Sequence, residues 1–167
     1  MQTPKSFKNL KGVAGILLIV IVAAIASYMK PRGNRASSVE GFSAIGTLET
    51  INSGANIYRK VYSNGFPASL AALAGSAGEA RDCDHAQLID NQLASGVRGS
   101  FLFTYKPRPP LSPPARGCTL PGAPGYTLTA DPIDFDNPGI RHFFTDETGV
   151  IRFEFGKQAT AKSPEIE

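Results

Sequence analysis

The most constraining feature of the chain is an uncharged apolar run at residues 12–29, which has three lysines before it and three basic residues shortly after it. As a helix rising about 1.5 Å per residue, the eighteen residues between Lys11 and Lys30 reach roughly 27 Å, close to the thickness of a hydrocarbon core. The run therefore predicts a single transmembrane helix. The short basic tail 1–11 is expected in the cytoplasm, with the rest of the chain on the other side of the membrane.

A cleaved signal peptide is the alternative interpretation of the same run. The lysines would then form its basic n-region, and Ala24 and Ala26 would form an A-x-A cleavage site before Ser27. The two interpretations differ in the fate of residues 13–26. An anchor keeps them with the protein, whereas cleavage releases a secreted domain that begins at Ser27.

Charge is divided unevenly along the chain. The formal net charge is +3, but residues 1–35 hold six basic and no acidic side chains, which leaves eleven basic and fourteen acidic side chains for the rest. The body of the protein is therefore mildly acidic and offers no concentrated positive field to a phosphate backbone. Nucleic acid is not an expected partner.

The roughly 130 residues after the run suffice for one compact domain. Cys83 and Cys118 are its only cysteines. In an exported domain a lone pair most simply forms a disulfide, here closing a loop of about 35 residues, with two reduced core thiols as the alternative. Seven prolines at residues 107–124 keep the segment around Cys118 out of regular structure, so the bond is expected to shape a surface excursion more than to hold the core.

An amphipathic helix is predicted after a break at residues 30–36. The S-x-x-E pattern of Ser37 and Glu40 is a capping box that predicts its start, and Asn64 and Gly65 predict its end. Apolar residues recur every three or four positions between these limits. They are Val39, Phe42, Ile45, Leu48, Ile51, Ala55, Tyr58 and Tyr62.

The period then changes from helical to alternating. A short helix is predicted at 85–94, strands at 100–105, 125–130, 142–145 and 150–155, and a hairpin turn at 146–149. The predicted fold class is α+β: a long N-terminal helix with a membrane-embedded start, packed on a small antiparallel sheet of about four strands. The globular domain is expected to span 37–156, and the polar segment 157–167 is expected to be a disordered tail.

Several stretches resemble the type IV pilin-like proteins, the group that includes pilins and the pseudopilins of type II secretion. These stretches are IVAAIA at 21–26, SAIGTLETIN at 43–52, GYTLTADP at 125–132 and RHFFTDETGVIR at 141–152. The resemblance implies a non-enzymatic structural or assembly component of a pilus or secretion filament. It also implies a pilin-like domain on the periplasmic or extracellular side of a cell inner membrane, with membrane lipid and other pilin-like subunits or assembly proteins as partners.

The N-terminus departs from the family pattern, which has a glycine before phenylalanine or methionine at the processing site and a glutamate a few residues later. Alignment on the end of the apolar run places Ser6 and Phe7 at the processing position and Lys11 at the position of the glutamate. Gly12 and Val13 form a second candidate processing site. The family pattern thus predicts a divergent member.

Catalytic motifs are absent from the sequence, and no enzymatic activity is expected. One loop carries four oxygen-bearing side chains within seven residues: Asp131, Asp134, Asp136 and Asn137. Hard cations such as Ca²⁺ take oxygen ligands from turns of this kind, and some pseudopilins hold calcium in a C-terminal loop. The alternative is a solvated turn that Asp and Asn stabilise with local hydrogen bonds. No other cofactor is expected.

Overall fold

A computed structural model of the chain describes residues 33–76, 78–109 and 111–166, without the side chains of residues 33–40 and 42. The tail 1–11 and the apolar run 12–29 fall outside these ranges. So do all the candidate processing residues, namely Ser6, Phe7, Gly12, Val13, Ala26 and Ser27. Within the described ranges, no helix combines the length and the apolar character that crossing a bilayer requires.

The described residues form three helices and five strands. The helices are α1 (Gly33–Tyr62), α2 (Leu70–Leu73) and α3 (Asn91–Ala94). The strands are β1 (Val97–Arg98), β2 (Phe101–Pro107), β3 (Tyr126–Pro132), β4 (Arg141–Asp146) and β5 (Arg152–Phe155). They form one antiparallel sheet in the order β1-β2-β3-β4-β5, in which each strand pairs with the next one along the chain.

The predicted fold class is wrong as stated. The sheet has five strands rather than about four, and the one described helix of seven or more residues, α1, is not a long apolar helix. α1 is amphipathic because polar and small side chains such as Ser43, Thr50 and Lys60 occupy its exposed face. The extra strand β1 is only two residues long, and the predicted membrane-embedded start lies outside the described residues.

Of the other predicted elements, the hairpin turn is confirmed, whereas the bounds of two helices differ from the prediction. α1 begins at Gly33, so the predicted capping box of Ser37 and Glu40 lies inside the helix, and the predicted helix 85–94 shortens to α3. The hairpin turn between β4 and β5 is confirmed, with the Gly149 amide donating to the Asp146 carbonyl at 2.9 Å. Gly149 has a φ of +80°, a conformation that glycine adopts without steric cost.

The predicted apolar stripe of α1 is the centre of the core. Leu48, Ile51, Ala55 and Tyr58 are each 0% exposed, and the stripe members Ile45 and Tyr62 at its two sides are half-buried. Burying a leucine or isoleucine side chain in this way contributes about 1.5–3 kcal/mol. The stripe therefore packs α1 against the inner face of the sheet.

The N-terminal part of α1 lies near the end of the sheet where β3 stops and β4 starts. A Cβ on Gly41 would lie 3.6 Å from Cζ of Phe143, near the start of β4. The Phe143 ring lies 5.9 Å from that of Phe101, which pairs with Pro132 at the end of β3. The loop 133–140 between β3 and β4 therefore lies at the N-terminal end of α1.

The C-terminal part of α1 lies at the opposite end of the sheet. Asn52 contacts Tyr126, the first residue of β3, and the Tyr126 ring packs edge-on against Phe66 with centroids 5.1 Å apart. Phe66 follows α1 by four residues and pairs with Ala123 in an isolated antiparallel bridge. The helix and the sheet thus run alongside each other for the length of the domain.

The C-terminal segment differs from the expected disordered tail. Residues 157–166 turn back along β5, and the Ile166 amide donates to the Ile151 carbonyl at 3.0 Å. Ala159 in this segment is only 2% exposed. The segment is ordered because it gives the free edge of β5 hydrogen-bond partners, which its polar composition does not indicate.

Candidate functional site

The predicted disulfide is confirmed: Cys83 is bonded to Cys118 across 35 residues, with their Cα atoms 5.5 Å apart. Cys83 is 3% exposed and belongs to the core, whereas Cys118 is half-buried in the proline-rich loop. The expectation that the bond mainly shapes a surface excursion is therefore incomplete, because its Cys83 end is fixed inside the domain. The bond ties the loop directly to the core.

A buried hydrogen-bond network continues from this disulfide to the end of α1. The Tyr58 hydroxyl donates to the Cys83 carbonyl at 2.8 Å, and the Asn64 amide donates to the Tyr58 oxygen at 3.1 Å and to the Leu120 carbonyl at 3.2 Å. Asn64 Oδ1 also accepts from the Ala115 amide at 2.9 Å. Burial raises the pKa of Tyr58, which the Asn64 hydrogen bond partly opposes. The loop is thus held at both the disulfide and Asn64.

Asp84 also holds the same loop, through hydrogen bonds nearer the surface. Its carboxylate accepts from the hydroxyl of Thr119 at 2.7 Å, from the Thr119 amide at 3.0 Å and from the Leu120 amide at 3.1 Å. The Thr119 hydroxyl, and then these amides, lower the pKa of Asp84, although desolvation acts in the other direction. Because these three hydrogen bonds engage its carboxylate, Asp84 acts as a structural clamp on the loop.

A cleft of about 610 Å³ opens beside this clamp. It lies between α2, the loop that carries Asp84, α3 and the loop after Cys118. Its polar lining residues are Ser76, Glu79, Asp84, His85, Asn91 and Thr119. Two carboxylates in an open cleft give it an acidic character, and its size would accept a small polar or cationic group.

Cys83, Asp84 and His85 are adjacent in sequence, but the structure gives each a different partner. The sulfur of Cys83 is in the disulfide, and the Asp84 carboxylate bonds to the loop after Cys118. His85 is exposed, with its Nδ1 3.5 Å from Asp82 Oδ1. The three side chains therefore form no joint ligand set.

The four predicted calcium ligands lie in two different environments. Asp131 is buried, and its Oδ2 accepts from the Thr129 hydroxyl at 3.1 Å and from the Gln158 amide at 3.0 Å. Asp134 and Asp136 are exposed in the loop 133–140, where Asn137, the fourth predicted ligand, donates weakly to Asp134 at 3.4 Å. Among the described residues, no group of three or more His, Cys, Asp or Glu side chains is arranged to hold a metal. The calcium site stays a prediction from the sequence.

His142 is the second partner of Asp131 and is completely buried. Its Nδ1 lies 2.8 Å from Asp131 Oδ1, and the Phe135 ring packs edge-on against it at 4.5 Å between centroids. A carboxylate oxygen accepts, so this contact pairs it with an N–H at Nδ1. Nε2 of His142 has no hydrogen-bond partner within the described ranges.

The sequence suggested this buried pair only indirectly. The sequence predicts a strand that begins at His142 and places Asp131 among the oxygen-bearing side chains of a loop. Both lie on the outer face of the sheet, where Gln158 from the C-terminal segment meets Asp131. The one available signal was the alternation in β3 and β4, which places Asp131 and His142 on the same face.

Comparisons with family models, with curated proteins and with solved structures find no match to this chain. They assign it neither a family nor an activity.

Proposed function

We propose that the protein is a membrane-anchored, non-enzymatic component of a pilus or secretion-type filament, with its folded domain on the periplasmic or extracellular side of a cell inner membrane. The resemblance to type IV pilin-like proteins in the sequence motivates this function. Its partners would be membrane lipid and other pilin-like subunits or assembly proteins.

The arrangement of α1 is the observation that carries the proposal. α1 begins at Gly33, only four residues after the apolar run ends at Met29. From Gly41 onwards one side of the helix is buried in the core, while the opposite side is exposed from Ser43 through Thr50 to Val61. An anchored domain with a long exposed helix face offers other subunits a continuous surface to pack against.

The disulfide supports the proposed periplasmic or extracellular location of the domain. Lone cysteine pairs bond and stay bonded in oxidising compartments such as the bacterial periplasm and the cell exterior. Cys83 and Cys118 form such a bond. It stabilises a domain that must persist outside the cytoplasm.

A secreted binding module is the second candidate, and the acidic cleft favours it. This function needs cleavage after Ala26, so that the domain leaves the membrane. The cleft beside Asp84 would then be the binding site, and a small cationic group would be its natural ligand.

The intact mass of the protein in membrane and soluble fractions of its host separates these functions. A full-length mass in the membrane agrees with a permanently anchored accessory component of such a system and argues against ordinary incorporation into the filament. Loss of residues 1–6 or 1–12 by prepilin-type processing agrees with incorporation. A soluble species that begins at Ser27 would contradict it and support the secreted module.

Two variants sharpen this measurement. Ala26→Leu blocks an A-x-A site, so it should change the mass only by the substitution itself if the chain is anchored and should prevent release if the chain is a cleaved precursor. Ser38→Ala lies beyond every candidate cleavage site and serves as the matched control. It should leave processing unaffected in both cases.

A further inference from the structure

The loop 133–140 exposes two large apolar side chains that alternate with two carboxylates. Ile133 is 63% and Phe135 46% exposed, and Asp134 and Asp136 beside them are also exposed. These four residues are called the loop patch. The patch has a fixed position, because the Ile133 amide donates to the Ser100 carbonyl at 2.8 Å and Phe135 packs on the buried His142 ring.

A second exposed apolar surface lies in the last turns of α1. Ile57 is 46% and Val61 62% exposed, and both Val61 and the exposed Lys60 neighbour Ile57 on the helix surface, at four and three residues' distance. These three residues are called the helix-end patch. Arg59 points elsewhere, with its guanidinium 4.9 Å from the centre of the Phe66 ring.

The two patches are complementary in both apolar character and charge. Each presents two large apolar side chains, and the carboxylates of the loop patch match the ammonium of Lys60. Within the described part of the chain, neither Asp134 nor Asp136 forms an ion pair, and Lys60 forms none either. Their charges are therefore available to a partner.

The patches cannot meet within one copy. The loop patch lies at the end of the sheet near Gly41, and the helix-end patch is centred on Val61. Twenty residues of helix separate these positions, a distance of about 30 Å at about 1.5 Å per residue.

We propose that the loop patch of one copy docks on the helix-end patch of the next copy, so that copies of the chain associate head to tail. This inference rests on the proposed filament function and names the partner, which is a second copy of this chain. Because the two surfaces differ, the head-to-tail contact is heterologous, and its repetition gives an open assembly where the rotation between neighbouring copies closes no ring.

A lipid surface fits the loop patch less well than a second copy does. Asp134 and Asp136 flank the apolar side chains, and their negative charges are repelled by anionic lipid headgroups. Lys60, by contrast, attracts them while Ile57 and Val61 cover Phe135 and Ile133. The charges thus decide between the two occupants.

The contact can be captured in the full-length chain with a zero-length carbodiimide. The reagent condenses a carboxylate with an amine and releases the oxygen of the carboxylate in the urea by-product, so an amide between Lys60 and Asp134 or Asp136 forms only at ion-pair distance. Copies labelled with ¹⁴N and with ¹⁵N are mixed in detergent, cross-linked and digested. A cross-linked peptide pair with one light and one heavy partner must join two copies.

We expect mixed-isotope links from Lys60 to Asp134 or Asp136. Lys60→Asp should lower the yield of cross-linked copies about tenfold, as should Asp134→Lys with Asp136→Lys, because each turns attraction into repulsion. The chain that carries all three substitutions should restore the link in the opposite sense, with the amine now on the loop. Lys106→Asp, the same charge reversal at an exposed lysine of β2 outside both patches, is the matched control and should leave the yield unchanged.

All of these side chains are exposed, and circular dichroism checks that each variant folds. Mixed-isotope links elsewhere, with none between Lys60 and the loop, would overturn this contact and leave the filament function standing. No mixed-isotope link at all would overturn both. A third outcome concerns vesicles of phosphatidylethanolamine and phosphatidylglycerol. If they protect the loop carboxylates from the carbodiimide, and do so in the Lys60→Asp variant as well, lipid is the occupant and the contact is overturned.

Discussion

At the scale of single residues, the buried hydrogen bonds between α1 and the sheet come from Asn52. Its buried amide donates to the Thr145 hydroxyl at 3.1 Å and accepts from the Tyr126 hydroxyl at 2.7 Å. Asn52→Leu removes both bonds, so the Tyr126 hydroxyl stays buried without a bond and the Thr145 hydroxyl keeps only its 3.5 Å contact with the Asp146 carbonyl. We expect the free energy of unfolding to fall by about 2–4 kcal/mol, as measured by urea denaturation of the full chain in mild detergent.

A matched control comes one turn later on α1. Asn56 is only half-buried and donates to the Asn52 carbonyl, so Asn56→Ala should cost less than about 1 kcal/mol. Adding Tyr126→Phe and Thr145→Val to Asn52→Leu removes the stranded hydroxyls and should recover part of the loss. Equal losses from Asn52→Leu and Asn56→Ala would contradict the special role of Asn52.

Two buried tyrosines and one half-buried tyrosine make the stability of the domain sensitive to alkaline pH. Burial raises the pKa values of Tyr58, Tyr105 and Tyr126 above the ordinary value near 10. Unfolding exposes these phenols and lets them ionise, so their contribution to stability is complete below about pH 10. It is lost as the pH rises from there towards the folded-state pKa values, because the unfolded chain releases the protons first.

We therefore expect the urea midpoint to be constant from pH 8 to 9.5 and to fall above pH 10. Tyrosinate absorbance at alkaline pH should include these three side chains only when helical circular dichroism is lost. Tyr126→Phe removes one of the ionising groups, so its midpoint should fall less steeply with pH than that of the parent. A midpoint that falls equally steeply in both chains would show that Tyr126 makes no such contribution.

At the scale of elements, the disulfide joins a loop that has little regular structure to the core of the domain. Cys83 is buried beside Tyr58, and Cys118 lies in the proline-rich loop. Reduction releases a loop of 35 residues in the unfolded chain. We expect it to lower the free energy of unfolding by about 3–4 kcal/mol, as measured by urea denaturation with and without a reductant.

The Cys83→Ser/Cys118→Ser variant separates the effect of the bond from other effects of the reductant. Its stability should match that of the reduced parent and should not change when reductant is added. A parent whose stability is the same in both conditions would show that the Asp84 clamp and Asn64 hold the loop without the bond.

The elements that could be predicted from the sequence are those whose pattern is local. The stripe through Leu48, Ile51 and Tyr58 repeats at helical spacing and predicts the buried face of α1, and Gly149 marks the hairpin. β1 has two residues, too few to show alternation, and exists because it pairs with β2. Likewise, Ala159 is buried only after the segment has folded back along β5. Such contacts depend on distant residues and leave no periodic signal.

At the scale of the whole molecule, the same distinction explains which sites could be predicted. Cys83 and Cys118 were predictable as a pair because the sequence has no other cysteine. Asp131 was grouped with its sequence neighbour Asp134, yet in three dimensions it belongs with His142. Sequence proximity does not show which side chains meet, because the direction of the backbone at each residue decides that, and in β3 the Asp131 carboxylate meets His142 and Gln158.

The domain that contains α1, the sheet and the disulfide loop should also unfold as one unit. Residues 34–167 form a single compact unit, and Asn52 and Tyr58 connect α1 to the sheet and to the disulfide loop. Circular dichroism at 222 nm reports on helix, including α1, whereas near-ultraviolet tyrosine signals report on the packing of Tyr105 and Tyr126 in the sheet together with Tyr58 and Tyr62 in α1. α1 is amphipathic, so its exposed apolar face would make it unstable without the sheet. We therefore expect both signals to give one urea midpoint, with a slope of about 1–3 kcal/mol per molar urea. Helical signal that outlasts the tyrosine signal would show instead that α1 holds its structure alone, and that the exposed face offered to other subunits does not need the sheet for support.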